Sequence, residues 1–286
     1  MNPSFDHQLL SRHAYGLVEP SMVEYLPEGI ATVPLVPPEL SASEHLMPRL
    51  LVLGALSDGQ QADLLGALSD AEHHGEQPVV SMVLQSALSV REFVSHWNRL
   101  QVAMLGPNRK VWLRVHDPRV LHQLLRILTP RQQTKLFVKV RSCTYWLGDR
   151  WVTAKGGPIA GDGPDGSLLY SSWDWPRIEQ IGIVNRALQA AGVRRASEIG
   201  DKAELAEQLI SRARVRHGLS EQSDLVEFAM RGLMTAESFD LHPSILEAIR
   251  ACSTDDEARL GDRLALIDEK VWAELGPNAM VEHERA

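Results

Sequence analysis

Short apolar runs alternate with helix-forming stretches along the first half of the chain, and this alternation constrains the fold more than any other feature. Residues 50–53 and 79–84 are apolar runs of strand length. Residues 60–68 and 89–100 have the apolar spacing of helices. Such alternation is typical of an α/β lobe in which helices flank a mixed sheet. We predict this fold for residues 1–154.

Local signals mark several boundaries in this lobe. Ser89 is followed three residues later by Glu92, and Thr129 by Gln132, which is the pattern of a capping box at a helix start. The pair Gly148-Asp149 lies between two runs of strand-forming residues and predicts a β-hairpin.

The segment 110–120 (KVWLRVHDPRV) is the most distinctive local pattern. Residues 111–116 alternate between apolar and mixed side chains, which predicts a strand with one apolar face. Asp117 and Pro118 then stop the strand and begin a helix, because aspartate is a good N-cap and proline suits the first helical position. We therefore interpret the segment as a strand that turns directly into a helix.

Three charged residues of this segment are close enough in sequence to interact. Arg114, Asp117 and Arg119 are predicted to form a charged network, since the planar guanidinium group binds a carboxylate through two hydrogen bonds. A buried network would fix the angle between strand and helix, whereas an exposed one would bind an acidic segment of a partner. We favour the structural role.

The common catalytic motifs are absent from the sequence. The sequence has no nucleophile elbow, no phosphate-binding loop, no HExxH motif and no GxGxxG after a strand. The adjacent pair His73-His74 is expected to lie in a loop with Gly75. We expect no catalytic, cofactor or metal site. The alternative is a small α/β enzyme that uses His116 and Asp117 at the end of the predicted strand.

The second half of the chain has a different character. Residues 155–176 contain many Gly, Pro, Asp and Ser residues and predict a connector. Residues 177–286 predict an all-helical lobe whose last long helix begins at a capping box, residues 254–257. The helices expected before it span residues 178–191, 202–217, 221–233 and 243–251, and the apolar stripe of the last helix consists of Leu260, Leu264, Ile267, Val271 and Leu275.

Charge is unevenly distributed. The net charge is −8, but residues 91–150 carry twelve basic and three acidic side chains. A basic block between acidic flanks either binds an acidic partner or is neutralised by its own flanks. A less favoured alternative is a nucleic-acid-binding protein that uses this block, and the acidic composition of the whole chain argues against it.

Nothing in the sequence predicts a membrane segment. There is no run of 18 apolar residues, and the first residues lack the basic start and apolar core of a signal peptide. The two cysteines, Cys143 and Cys252, belong to no metal-binding or disulfide pattern. A cytoplasmic protein with reduced thiols is the expectation.

Several motifs occur in an order that matches a known family. A helix with His96 and Leu100 precedes RVHDPRV at residues 114–120, and the leucine pair 124–125 and the sequence TPRQ at residues 129–132 follow. In order and spacing these motifs resemble the signature region of domain of unknown function 4123, the effector chaperones or adaptors of bacterial type VI secretion.

The resemblance extends beyond this centre. It includes residues 47–52 and 15–19 upstream, where Glu19 replaces the usual aspartate, and residues 225–233 and 239–243 downstream. The chain departs from the family at residues 115–116, where aromatic residues are usual.

The resemblance implies a function without catalysis or a cofactor. A protein of this family binds a secreted toxic effector in the cytoplasm and helps load it onto the VgrG spike. From it, together with the acidic composition and the absence of a long apolar run, we expect neither nucleic-acid binding nor membrane insertion. By this resemblance, five residues form a family motif whose role is either structural or partner-binding: Arg114, His116, Asp117, Pro118 and Arg119.

Overall fold

The structure is a computed structural model, and it describes residues 7–105, 109–137, 139–156, 172–254 and 259–276. The chain divides into two compact units, Met1–Trp175 and Pro176–Ala286. The first combines a sheet with flanking helices and the second is helical, so the predicted fold class is confirmed. Most of the predicted connector lies outside the described residues.

The first unit is built around one large sheet. Its strand order is β2-β3-β1-β4-β7-β8, and the described pairs are all antiparallel, which refines the mixed sheet expected from the sequence. A separate two-stranded sheet pairs β5 with β6. The strands are β1 (Tyr15–Val18), β2 (Thr32–Pro34), β3 (Arg49–Val52), β4 (Val80–Ser86), β5 (Val102–Met104), β6 (Lys110–Trp112), β7 (Val140–Leu147) and β8 (Arg150–Lys155).

Helices cover both faces of the large sheet. They are α1 (His7–Arg12), α2 (Asp58–His74), α3 (Val90–Gln101), α4 (Pro118–Ile127) and α5 (Pro130–Leu136), with 3-10 turns at Pro20–Tyr25, Pro38–Leu46 and Leu53–Ala55. On one face, Leu51 of β3 shares a buried cluster with Leu64 and Leu68 of α2. On the other, the ring of Tyr15 lies 4.4 Å from that of Phe93 in α3.

The two capping boxes predicted in this unit, at Ser89 and Thr129, are present. The Ser89 hydroxyl accepts a hydrogen bond from the backbone of Glu92, whose carboxylate accepts one from the backbone of Ser89. Thr129 and Gln132 repeat this exchange. The predicted hairpin is also present, because Gly148 and Asp149 join β7 to β8 with Gly148 in the left-handed region at φ 68°.

The predicted strand 111–116 is too long. Strand β6 ends at Trp112, and the chain then makes tight turns, with the Val115 N–H donating to the Leu113 carbonyl and the Asp117 N–H to the Arg114 carbonyl. The chain must turn at this point, because Pro118 already occupies the first position of α4. Alternation of residue types predicted a strand here, but residues 113–117 have no partner strand among those described.

The predicted loop at His73-His74 is wrong. Helix α2 continues through both histidines and ends at Gly75, which adopts a left-handed conformation with φ 66° and closes the helix by a hydrogen bond to the Ala71 carbonyl. Glycine reaches this conformation without steric cost, and histidine is compatible with the last turn of a helix.

The second unit consists of α6 (Trp175–Ala190, which begins at the boundary), α7 (Ala196–His217), α8 (Gln222–Met234), the 3-10 turn Phe239–Leu241, α9 (Pro243–Thr254), α10 (Leu260–Ala265) and α11 (Glu269–Glu274). The single long last helix predicted from Thr254 is wrong. Thr254 ends α9, residues 255–258 lie outside the described residues, and two short helices follow. Asp268 caps α11 through the Lys270 N–H at 2.9 Å, and this cap begins a new helix.

Candidate functional site

The turn before α4 contains the segment Arg114–Val120, on which the resemblance centres, and is our candidate site. Asp117 is the N-cap of α4, and its Oδ1 accepts the backbone N–H of Arg119 at 3.0 Å. Pro118 follows at the first helical position. The local sequence therefore fixes both where the helix begins and where the Asp117 side chain points.

Asp117 also binds two arginines. The Arg119 guanidinium donates from Nε to Oδ1 at 3.0 Å and from Nη2 to Oδ2 at 2.9 Å, which is a two-point contact. Arg114 lies further away, with Nη2 3.7 Å from Oδ2. The Asp117 side chain is 4% exposed, whereas those of Arg114 and Arg119 are 46% and 54% exposed. The predicted charged network is thus formed, with a buried carboxylate beneath two half-exposed cations.

The two arginines also determine the ionisation state of the Asp117 carboxyl. Burial raises the pKa of the Asp117 carboxyl, but the hydrogen bonds from Arg119 and the charges of Arg119 and Arg114 outweigh it and hold that pKa below its ordinary value. Asp117 is therefore a carboxylate near neutral pH.

Glu19 joins the group from a distant part of the chain. It follows β1, and its pKa rises to about 7, first because of burial and then because of the nearby negative charge of Asp117, against the lowering effect of Arg114 and Arg119. We call Glu19, Arg114, Asp117 and Arg119 the charged turn. In the sequence, Glu19 follows the opening strand, but no local signal places it beside residues about 100 positions away.

His116 is placed differently from the enzyme alternative. Its side chain is buried, the residue being 1% exposed, and neither ring nitrogen has a hydrogen-bond partner within the described residues. Burial, and secondarily the charge of Arg114, lower its pKa to about 4. The ring lies 6.1 Å from that of Trp112. The His116 imidazole is therefore neutral near pH 7 and enclosed by the protein, while the Asp117 carboxylate is held by the two arginines.

We expect Glu19→Gln to remove a pH dependence of stability. The folded chain holds the Glu19 proton more tightly than the unfolded chain, so raising the pH from 4.5 to about 7 favours unfolding of the wild type. Between these pH values the free energy of unfolding of the wild type should fall by about 1–2 kcal/mol relative to that of the variant. This is less than the full pKa shift implies, because Glu19 is partly exposed.

Urea unfolding of both proteins at several pH values measures this difference. The exposed Glu24, on the adjacent 3-10 turn, offers the matched control Glu24→Gln for the loss of one negative charge. A difference between wild type and Glu19→Gln that stays constant with pH would contradict the prediction.

Other candidates from the sequence do not converge on a site. Within the described ranges, no group of three or more His, Cys, Asp or Glu residues is arranged to hold a metal ion. Of the two cysteines, Cys143 is a buried free thiol. In the basic block 91–150, Lys110 lies 3.7 Å from Glu39 of the acidic flank. Searching the same ranges for helices long and apolar enough to cross a membrane finds none.

The helical unit contains a second charged cluster, which sequence reasoning missed. Asp240 is fully buried, and its two oxygens accept hydrogen bonds from Arg212 Nη1 at 3.0 Å and His217 Nε2 at 2.8 Å. Arg212 also donates to the Glu237 carbonyl at 2.8 Å. These contacts join the last turns of α7 to the 3-10 turn Phe239–Leu241, so we regard the cluster as structural.

Comparison with known proteins bears on the first unit. No curated protein and no solved structure matches the chain. A family model does match, and it includes the turn from Arg114 to Arg119 but not Glu19. The predicted resemblance is confirmed over that range: residues 37–135 match the family described as Domain of unknown function (DUF4123).

Proposed function

We propose that this chain is a cytoplasmic adaptor that binds a toxic effector of bacterial type VI secretion and helps load it onto the VgrG spike. The match of residues 37–135 to DUF4123 carries the proposal, since the proteins of this family that it resembles are effector adaptors. On this proposal the protein works through protein–protein contacts and uses neither a cofactor nor nucleic acid.

The geometry of the charged turn supports this function. Asp117 caps α4 at its first turn, while the side chains of Arg114 and Arg119 that it binds remain about half exposed. Arginine is enriched at protein interfaces, where its planar head pairs with carboxylates and its stem packs on apolar surface. The turn thus combines a rigid base with a polar rim suited to an acidic group on a partner.

Exposed apolar side chains offer anchors for a partner on both units. In the described part of the chain, four of the six large apolar residues that are exposed belong to the helical unit. Apolar anchors within a polar rim are typical of protein interfaces. The six are Tyr25, Leu46, Val215, Met234, Leu241 and Leu266.

Co-purification tests the proposal directly. The tagged full chain, co-expressed with the products of the adjacent genes, is expected to retain an effector-like or spike-like protein through washes and nuclease treatment. An unrelated tagged protein of similar acidic charge is the control. If neither kind of protein is retained, the adaptor function is refuted. In a parallel purification without nuclease, retention of nucleic acid that falls steeply with salt would instead indicate binding by the basic block.

A further inference from the structure

The outer edge of β8 is one of the two ends of the large sheet. The opposite edge is β2, which spans only Thr32–Pro34 and ends in a proline. Short length and proline are devices that keep an edge strand from pairing with another chain. Strand β8 has neither, since it runs over Arg150–Lys155 without a proline and includes the β-branched residues Val152 and Thr153.

The register of the β7–β8 hairpin shows which backbone groups face outward. The Gly156 N–H donates to the Arg141 carbonyl at 2.8 Å, so this opposed pair is hydrogen-bonded. Bonded and non-bonded pairs alternate in an antiparallel ladder. The pairs of Thr153 with Thr144 and of Lys155 with Ser142 are therefore non-bonded. Consequently the N–H and C=O of Thr153 and Lys155 point away from β7, toward the open edge.

These outward groups are available. Within the described residues nothing pairs with the backbone of Thr153 or Lys155 beyond the edge, and both side chains are exposed. The Thr153 hydroxyl lies 2.9 Å from the Thr144 hydroxyl on the neighbouring strand, within hydrogen-bond distance. An extended peptide laid along β8 would find two donors and two acceptors at the spacing of a β-ladder.

Charge selects the kind of peptide. Arg150 and Lys155 stand at the two ends of β8, and exposed Arg141 lies on the next strand. Asp149 forms an ion pair with Arg150 at 3.3 Å. The three basic residues outnumber this one acidic residue, so the net charge of the edge is positive. A second copy of the chain would bring the same cations to this edge, which disfavours self-pairing. A strand with acidic side chains would instead be attracted.

We propose that the outer edge of β8 binds an extended acidic segment of the effector as an additional antiparallel or parallel strand. This inference rests on the proposed adaptor function. It assigns a binding mode to that function, in which backbone hydrogen bonds from Thr153 and Lys155 provide affinity and Lys155 provides charge selectivity.

Replacement of Thr153 by proline tests the backbone contribution. Thr153→Pro removes one outward N–H and blocks the edge but costs no bond to β7, because that N–H does not face β7. Thr153→Ala is the matched control, since it loses the same hydroxyl and keeps the N–H. In the co-purification described above, capture by Thr153→Pro should fall at least about tenfold relative to Thr153→Ala.

A charge test and an exchange measurement do not depend on the folding of the proline variant. Lys155→Glu should weaken capture at least about threefold relative to Lys155→Gln. In the wild-type complex, amide hydrogen exchange at Thr153 and Lys155 should slow at least about tenfold. The amide of Val152 faces Tyr145 in the existing ladder and should change less.

The outcomes separate the two proposals. Equal capture by the proline and alanine variants, or unchanged exchange at Thr153 and Lys155 in a complex that does form, would overturn strand addition and leave the adaptor function standing. Failure of the wild-type chain to capture any effector would refute the adaptor function and, with it, this inference.

Discussion

Asp240→Ala is expected to lower the free energy of unfolding of the helical unit by about 3–5 kcal/mol. The Asp240 carboxylate is fully buried and accepts hydrogen bonds from Arg212 and His217. Removal of the carboxylate would leave two polar side chains facing a small cavity, with Arg212 only 23% and His217 only 6% exposed. Breaking a buried ionic contact by removing one partner is costly because the remaining charge loses its compensation.

A second acidic side chain near Arg212 provides the control variant. Glu237 lies 3.6 Å from Arg212 Nη2, but its side chain is 61% exposed. Glu237→Ala should therefore change stability by less than about 0.5 kcal/mol. Amide hydrogen exchange along α7, combined with urea unfolding of the full chain, measures the local effect. Equal effects of Asp240→Ala and Glu237→Ala would contradict the assignment of Asp240 as the anchor of α7.

Features determined within a few residues could be predicted from the sequence. The capping boxes at Ser89 and Thr129 require only that a side chain and a backbone group three residues apart meet, and the hairpin at Gly148 requires one residue with positive φ. The interaction of Asp117 with Arg119 is of the same kind. Local rules therefore gave the start of each of these helices and the core of the charged network.

Features that depend on distant parts of the chain could not be predicted. Glu19 reaches the charged turn because β1 is a central strand of the sheet, and Asp240 meets His217 because a 3-10 turn folds back on α7. Neither pairing has a periodic or motif signal. The open edge of β8 likewise depends on the strand order, which alternation of strands and helices does not specify.

The error at His116 has a related cause. Alternation of side-chain types predicted a strand face for residues 111–116, but a strand continues only where a second strand offers partners for its backbone groups. Strand β6 pairs with β5 as far as Trp112, and the Asp117 cap then makes the chain turn. His116 is consequently buried in a turn.

Asp117→Ala is expected to lower the free energy of unfolding by about 2–3 kcal/mol. The variant loses the N-cap of α4, which contributes about 0.5–2 kcal/mol, and the two-point contact with Arg119. The arginines are half exposed and regain water, which limits the cost. Asp117→Ser restores an N-cap without the ion pairs and should recover about 1 kcal/mol.

The dependence on pH distinguishes this role from a role in partner binding. Because the pKa of Asp117 is lowered in the folded chain, its stabilisation is present above the ordinary carboxyl pKa and is lost as the pH falls below it. The difference between wild type and Asp117→Ala should therefore shrink in acid. Removing Asp117 also removes the negative charge that raises the pKa of Glu19, so the effect of Glu19→Gln should become smaller in the Asp117→Ala background. If Asp117→Ala unfolds like the wild type at every pH but no longer captures the effector, Asp117 belongs to the interface and not to the support beneath it.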